Sequence, residues 1–461
     1  MKRLSLFVVI ITLLLPLSAQ ESGDTGDGFS AGLNLGSDLL PNPDTGVMES
    51  WSKLGFQPDL AMGKFGIGLD LTFRFQLYPD ESNPFVLYTP DWVPSGGKTI
   101  FDVYLPKIMY VRYGKRGIDP LYVKLGSISD FGLGNGLIVS DYANTKFLPE
   151  QRLFGLQAGV DGALFNVPYF GVEALTGNLA NLDVIGGRVY VRPLAFMGKS
   201  ILGWVQIGGT AVVDRNPLIY TTAEEITASS YPVTKLIYVY GADVTVPIVT
   251  GEVFSLTAFV EGAREMNGAM GAITGVGGRL ISFISYGAQI RYLQEGFIPT
   301  YFDNNYDLYR AERFDYIEST LPGDFTAGWL ASLGFDLFNR KLQFSAILDG
   351  PFAPVPAPDA DTDNSSAYPH LKGKVLLGEG IIGGLSLEGG YEKYFIGRET
   401  GIFDDLIDPQ DAVIGFGVNY KTGATVLTLS YTYSWNPSKV NDDSSIGGFD
   451  VSSSLSASVR F

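Results

Sequence analysis

One histidine, His370, and no cysteine limit the chemistry open to this chain. A serine nucleophile needs a general base, most often histidine. His370 follows Pro369 at the end of a polar stretch, and no recognisable spacing places a serine or aspartate beside it. Thiolate nucleophiles, disulfides, thiolate metal sites and a lipid-modified cysteine are excluded outright. Asp359, Asp361 and Asp363 alternate as a calcium loop begins, but its sixth and twelfth positions, which call for Gly and Glu, are Asn364 and His370. The expectation is a solvated acidic surface loop in a protein that is not an enzyme and holds no metal or cofactor.

Other groups are suited to holding or steering a solute. "DFGLGNGLIVSDY", residues 130 to 142, crowds Gly132, Gly134 and Gly136 together. A phosphate-cradling loop would need a buried parallel strand before it and a helix after it; here "LYVKLG" alternates and "NGLIVSDYANTKF" has no helical period. The glycines instead allow left-handed or close-packed turns as the chain bends off a strand end, carrying Asp130, Asp141, Tyr142, Asn144 and Lys146 inward. A second stretch, residues 297 to 316, mixes Tyr301, Phe302, Tyr306 and Tyr309 with Asp303, Arg310 and Arg313. Flat aromatics beside bidentate charges can hold a sugar or amino acid at a channel mouth, or they can form an aromatic girdle and lock the loop to its neighbours.

The elements that would position these groups are strands. In "GIGLDLTFRFQLY", residues 66 to 78, apolar Ile67 to Leu77 alternate with Gly68, Asp70, Thr72, Arg74 and Gln76. That period of two gives one apolar and one polar face, and the length suits a tilted strand crossing a bilayer, about 9 to 11 residues. Residues 253 to 262, 324 to 338 and 424 to 435 repeat the pattern. Polar residues fill the second face almost completely, which predicts a wet interior. Asp70, Arg74, Lys124, Arg188, Arg192 and Arg291 are the pore-lining candidates; acids such as Glu173, Asp243 and Glu261 lie on the same faces. Arg188 and Arg192 form a short ladder that attracts anions, or that neighbouring acids neutralise.

Short connections at 63–66, 114–119, 196–200, 338–341 and 421–423 alternate with long polar ones at 79–99, 128–152, 214–233, 295–323, 350–368 and 395–411. Short periplasmic turns and long extracellular loops are the arrangement of an outer-membrane barrel. The fold expected is therefore all-β: a transmembrane antiparallel up-and-down β-barrel of about 18–20 strands, within 16–20. Two segments fit it poorly. Pro58 and Pro106 cannot donate to a ladder; around Pro106 the register that places Lys107 inward leaves Tyr104, Ile108 and Tyr110 outward, or a bulge intervenes.

Both ends agree with export. Lys2 and Arg3 precede an apolar run too short to span a bilayer, and Leu17 and Ala19 suit a signal-peptide cleavage site. Residues 1–19 are expected to be removed, leaving 20–461 as one barrel domain. The formal charge of −17 argues against nucleic acid as a partner. "FDVSSSLSASVRF" alternates to its last residue, Phe461, and resembles the C-terminal signal that the barrel-assembly machinery of bacterial outer membranes recognises.

From "LYVKLGSISDFGLGNGLIVSDYANTKFLPEQRLFGLQAGV" onward the chain resembles outer-membrane porins, in particular the alginate-export and substrate-specific type. The resemblance implies a passive channel for small hydrophilic solutes, set in outer-membrane lipid of a diderm bacterium and narrowed by the inward loop 128–150. The other reading is a structural or adhesive barrel with a closed lumen, whose acidic aromatic loops bind a partner.

Overall fold

The alternation of apolar and polar residues folds into a continuous antiparallel wall. The computed structural model describes residues 28–43, 45–77, 84–94, 99–147, 152–198, 200–221, 236–356, 367–398, 401–423, 425–435 and 448–460. The leader 1–19, the acidic run 359–363 and Phe461 lie outside the described residues.

The wall opens with β1 (Gly28–Pro41) and β2 (Met48–Met62), followed by β3 (Phe65–Leu69) and β4 (Leu71–Leu77), two halves of one strand, with β5 (Phe85–Leu87) a short addition to β4. Then come β6 (Ile108–Tyr113) and β7 (Leu121–Gly126); β8 (Phe131–Leu133) and β9 (Val139–Tyr142) pair only with each other as strands. The wall resumes with β10 (Gly155–Asp161), β11 (Phe170–Thr176), β12 (Val184–Val191), β13 (Gln206–Asp214), β14 (Ile237–Thr250), β15 (Phe254–Glu265), β16 (Met270–Leu280) and β17 (Ile284–Gln294). It is completed by β18 (Phe325–Leu337), β19 (Leu342–Pro351), β20 (His370–Ile382), β21 (Leu385–Lys393), β22 (Ala412–Thr422), β23 (Thr425–Trp435) and β24 (Phe449–Arg460).

Each wall strand pairs with the next, and β24 pairs back onto β1 from Gly32↔Arg460 to Leu35↔Ala457. With β3 and β4 taken as one, and β5, β8 and β9 set aside, the wall holds 20 strands among the described residues. That even number lies within the expected range and puts both ends of the wall on the short-turn side. Outward positions such as Val172, Val189, Ile207, Val260, Ile290 and Leu333 are exposed and apolar, while inward positions carry the polar and charged groups. A dry outside and a polar inside, in a wall whose two end strands meet over four residue pairs, is an arrangement suited to a bilayer.

The prolines fall where the ladder can spare a donor. Pro58 pairs with Ala31 on one side, while on the other β2 switches from β4, at Phe56↔Leu71, to β3, at Asp59↔Gly68. The long strand expected over 66–78 is accordingly interrupted at Asp70, whose N–H instead reaches Lys107 O at 2.7 Å. Around Pro106 the outward placement of Tyr110 is overturned. Residues 100–107 coil in helical turns and the strand begins only at Ile108. Tyr110 therefore turns inward and donates to Asp59 Oδ2 at 2.7 Å, and Lys107 sits over the Trp92 ring.

The largest apolar core lies inside the barrel near its long-loop end. Residues 128 to 142 and 297 to 317 pack there against the inner faces of β11 to β16, burying Phe131, Ile138, Val139, Tyr142, Phe302 and Phe314 among others.

Candidate pore constriction

The inward turn starts at Gly126, where φ is 112° and an added Cβ would stand 2.3 Å from Met109 O. Only glycine fits that close approach. The chain then forms the small β8–β9 hairpin, turning through Gly134 (φ 63°) and Gly136 (φ 93°). Gly132 has no positive φ, so the expectation of left-handed turns holds for two of the three glycines.

A wall carboxylate anchors the tip. Asn135 N donates to Glu261 Oε2 at 2.7 Å, Leu137 N to the same oxygen at 3.4 Å, and Thr245 Oγ1 to Asn135 Oδ1 at 3.0 Å. Asn144 clamps the root: its Oδ1 accepts from Ile128 N at 2.7 Å and its Nδ2 donates to Gly177 O at 2.8 Å. Of the residues expected to face the pore, Tyr142 and Asn144 are buried in this packing. Asp130 and Asp141 are exposed, and Lys146 is half-buried. Burial, with Lys372 and Lys374 near it, pushes the Lys146 ammonium below its usual range.

Residues 297 to 317 form a second layer over the first. Thr300 N donates to Leu137 O at 2.7 Å, Phe302 N to Ile138 O at 3.1 Å and Ser140 N to Phe302 O at 3.2 Å, with a parallel bridge between Val139 and Phe302. The stretch read as an aromatic loop contains a helix, Tyr306–Ser319, whose buried residues Tyr306, Arg310, Phe314 and Ile317 follow a helical spacing. Tyr301, Tyr306 and Arg310 are sealed from solvent, while Asp303 and Arg313, paired at 2.7 Å, stay partly open. These are the contacts of a loop locked to its neighbours.

Arg310 is the centre of that lock. Its Nη1 meets Asp183 Oδ2 at 2.9 Å, its Nη2 meets Asp214 Oδ2 at 2.6 Å, and Asp307 Oδ1 lies 3.6 Å away. Tyr306 donates to Asp214 Oδ2 at 2.6 Å, and the Tyr220 ring packs beside the guanidinium at 5.1 Å. Asp183 and Asp214 belong to the long-loop ends of β12 and β13, so the helix is tied to wall strands far from its own hairpin. Burial, opposed by Arg310, raises the Asp307 carboxyl to about 7.

The pore-lining candidates are paired in every case where a contact is resolved. Arg74 meets Asp38 at 2.6 Å and Asp91 at 2.9 Å, and Asp70 meets Arg152 at 2.5 Å. Lys124 lies over the Tyr110 ring. Arg188 bridges Asp243 at 2.6 Å and Glu173 at 3.4 Å; Arg192 meets Asp161 at 2.7 Å. The ladder is thus neutralised by acids one strand away, Glu173 on β11, and two strands away, Asp161 on β10 and Asp243 on β14. On the far wall, Arg291 meets Asp349 at 3.3 Å, and His370 stands between Asp349 at 3.1 Å and Glu392 at 3.2 Å.

Two contributions escaped the sequence reading. Asp183 and Asp214 looked like ordinary polar strand ends. Gly208 on β13 looked like one more small residue, yet a Cβ there would stand 2.5 Å from Asp243 Oδ1 and 2.7 Å from Arg188 Nη2. Its missing side chain is the gap through which Arg188 crosses a strand to reach Asp243. The repeated short spacing of polar and glycine residues on alternate wall strands was the available signal.

No protein-family model matches the chain, and no curated protein matches it. Among solved structures it is similar to OpdL of Pseudomonas aeruginosa, with 10% identity, 94% of this chain and 96% of that one covered, and a TM-score of 0.32. OccAB3 of Acinetobacter baumannii gives 11% identity, 94% and 98% coverage and 0.32; the FrpB iron transporter of Neisseria meningitidis gives 12%, 95% and 82%, and 0.36.

Proposed function

We propose that this barrel stands in the outer membrane of a diderm bacterium and passes small hydrophilic solutes passively, through a lumen narrowed by the segment 128–150. The observation that carries the reading is the pinning of its described residues, 128–147, inside the barrel, with the Asn135 and Leu137 amides on Glu261 of the wall. A loop held at both tip and root narrows a pore reproducibly, and inward groups of both signs keep the remaining surface wet. Nothing in the reading needs covalent chemistry, so the protein acts without being an enzyme. Its surroundings are outer-membrane lipid, and its last strand is the segment offered to the assembly machinery.

Planar-bilayer recording of the purified protein tests this. Stable stepwise openings, enlarged when the β8–β9 hairpin is shortened, are expected. The dense packing of Ile138, Val139 and Tyr142 favours a second reading, a barrel closed by its own loops that serves as a structural or adhesive surface. No openings in either protein would sink the channel and leave that second reading.

A further inference from the structure

The wall is not of even height. β14 has 14 residues and β15 has 12, whereas β10 and β11 have 7 each and β12 has 8. A tilted spanning strand needs about 9 to 11 residues, so β10 to β12 fall about two or three short, about 7 to 10 Å along the strand at ~3.4 Å per residue. The deficit is at the short-turn end. At the other end β13 and β14 finish level, Asp214 opposite Ile237, but at the turn end that pairing stops at Gln206↔Thr245 and β14 continues to Thr250 paired with β15 only. Pro247, which has no N–H to give, lies in that overhang.

The two connections below the short strands, 162–169 and 192–205, are apolar, and the second is longer than the short turn expected at 196–200 because β12 ends at Val191 and β13 starts only at Gln206. Asp161 caps a helical turn, Gly162–Phe165, accepting from Ala163 N at 2.9 Å; Ser200 caps another, Ile201–Trp204, accepting from Gly203 N at 3.3 Å. The second packs on β14 where the neighbouring strand is missing. Phe165 is 61% exposed, Phe196 70% and Leu202 50%, with Tyr169, Ile201 and Trp204 also open. Water is a poor neighbour for this much ordered apolar surface.

We infer that these turns form a ledge embedded in the acyl chains of the periplasmic leaflet, completing the apolar band where the strands fall short. The occupant follows from continuity: the ledge extends the outward face of Val172, Val189, Val191 and Ile207, which is the lipid-facing wall. The inference rests on the membrane-barrel reading above.

The absence of cysteine permits a direct test. Phe196→Cys, Leu202→Cys, Val189→Cys for the wall and Thr45→Cys for the water-exposed loop are each spin-labelled in the full mature chain and reconstituted in phosphatidylcholine vesicles. Collision with oxygen and with a water-soluble nickel chelate is measured at two protein-to-lipid ratios. The ledge labels are expected to match Val189→Cys, with an oxygen-to-nickel ratio several-fold above that of Thr45→Cys at both ratios. Nickel accessibility like that of Thr45→Cys, beside a lipid-exposed Val189→Cys, overturns the ledge alone. Shielding from both probes with spin–spin broadening at the higher protein ratio overturns it in favour of a second copy of the chain. A water-exposed Val189→Cys overturns the barrel reading and the ledge together.

Discussion

Replacing Arg310 by methionine should release the inner layers from the wall. The substitution keeps the volume and the helix propensity but leaves Asp183 and Asp214 buried without their cation. Removing one partner of a buried ion pair costs about 3 to 5 kcal/mol. At about 1.4 kcal/mol per factor of ten, the ratio of docked to undocked forms falls by about two to three and a half orders of magnitude. Val139 is fully buried between the layers, so in this cysteine-free chain the reaction of Val139→Cys with a membrane-impermeant maleimide reports the undocked fraction. Labelling should accelerate about a hundredfold or more in Arg310→Met. Most of that gain should disappear when Asp183→Asn and Asp214→Asn are added, because the uncompensated charges go with them. Unchanged labelling in Arg310→Met would refute the assignment of Arg310 as the tie.

Other expectations use the same readout or a current. Asp307 titrates near 7 when docked and near about 4 when exposed, so the docked form holds the extra proton between those values and loses stability as pH rises through that window. Divided at each pH by the rate of a freely exposed cysteine, which removes the thiol's own titration, labelling of Val139→Cys should quicken from about pH 4 to about 7 and level off above it, and Asp307→Asn should flatten this contribution to the slope. Gly134→Ala places a side chain at φ 63° with its Cβ 3.0 Å from Glu261 Oε1; at about 1 to 2 kcal/mol for a left-handed residue, labelling should rise about tenfold. Gly208→Val fills the gap crossed by Arg188, so a measured anion-to-cation permeability ratio should shift from that of the parent barrel; an unchanged ratio would separate the Arg188–Asp243 bridge from the ion path.

The wall was legible because alternation is a local property. Phe254 to Val260 on β15, and Asp70 to Gln76 on the strand broken into β3 and β4, carry their face assignment in the spacing alone. The inner layers were legible only as a bend. Gly134 and Gly136 announced a turn, but which of Tyr142, Asn144 and Lys146 would face open space depended on partners more than 30 residues away, Gly177 and Glu261 among them. The helix Tyr306–Ser319 was readable in principle, since Tyr306, Arg310 and Phe314 recur every four residues; the aromatic and charged composition reads instead as a loop, either holding a solute or locked to its neighbours. Arg310 could not be assigned from its neighbours in sequence, because two of its acids, Asp183 and Asp214, lie 127 and 96 residues away.

That separation sets an order of events in folding. Apart from the closing pair of β1 and β24, wall pairings join successive strands, whereas the inner layers are held by contacts such as Thr300 to Gly136 and Asn135 to Glu261, separated by 164 and 126 residues. Long-range contacts form slowly because the intervening chain must first be brought together. Successive strands therefore zip first, and the two inward segments settle afterwards onto a wall already paired. On the channel reading proposed above, a newly inserted molecule would pass through a wider stage, and the leak of a freshly assembled membrane should decay at the rate at which Val139 becomes shielded.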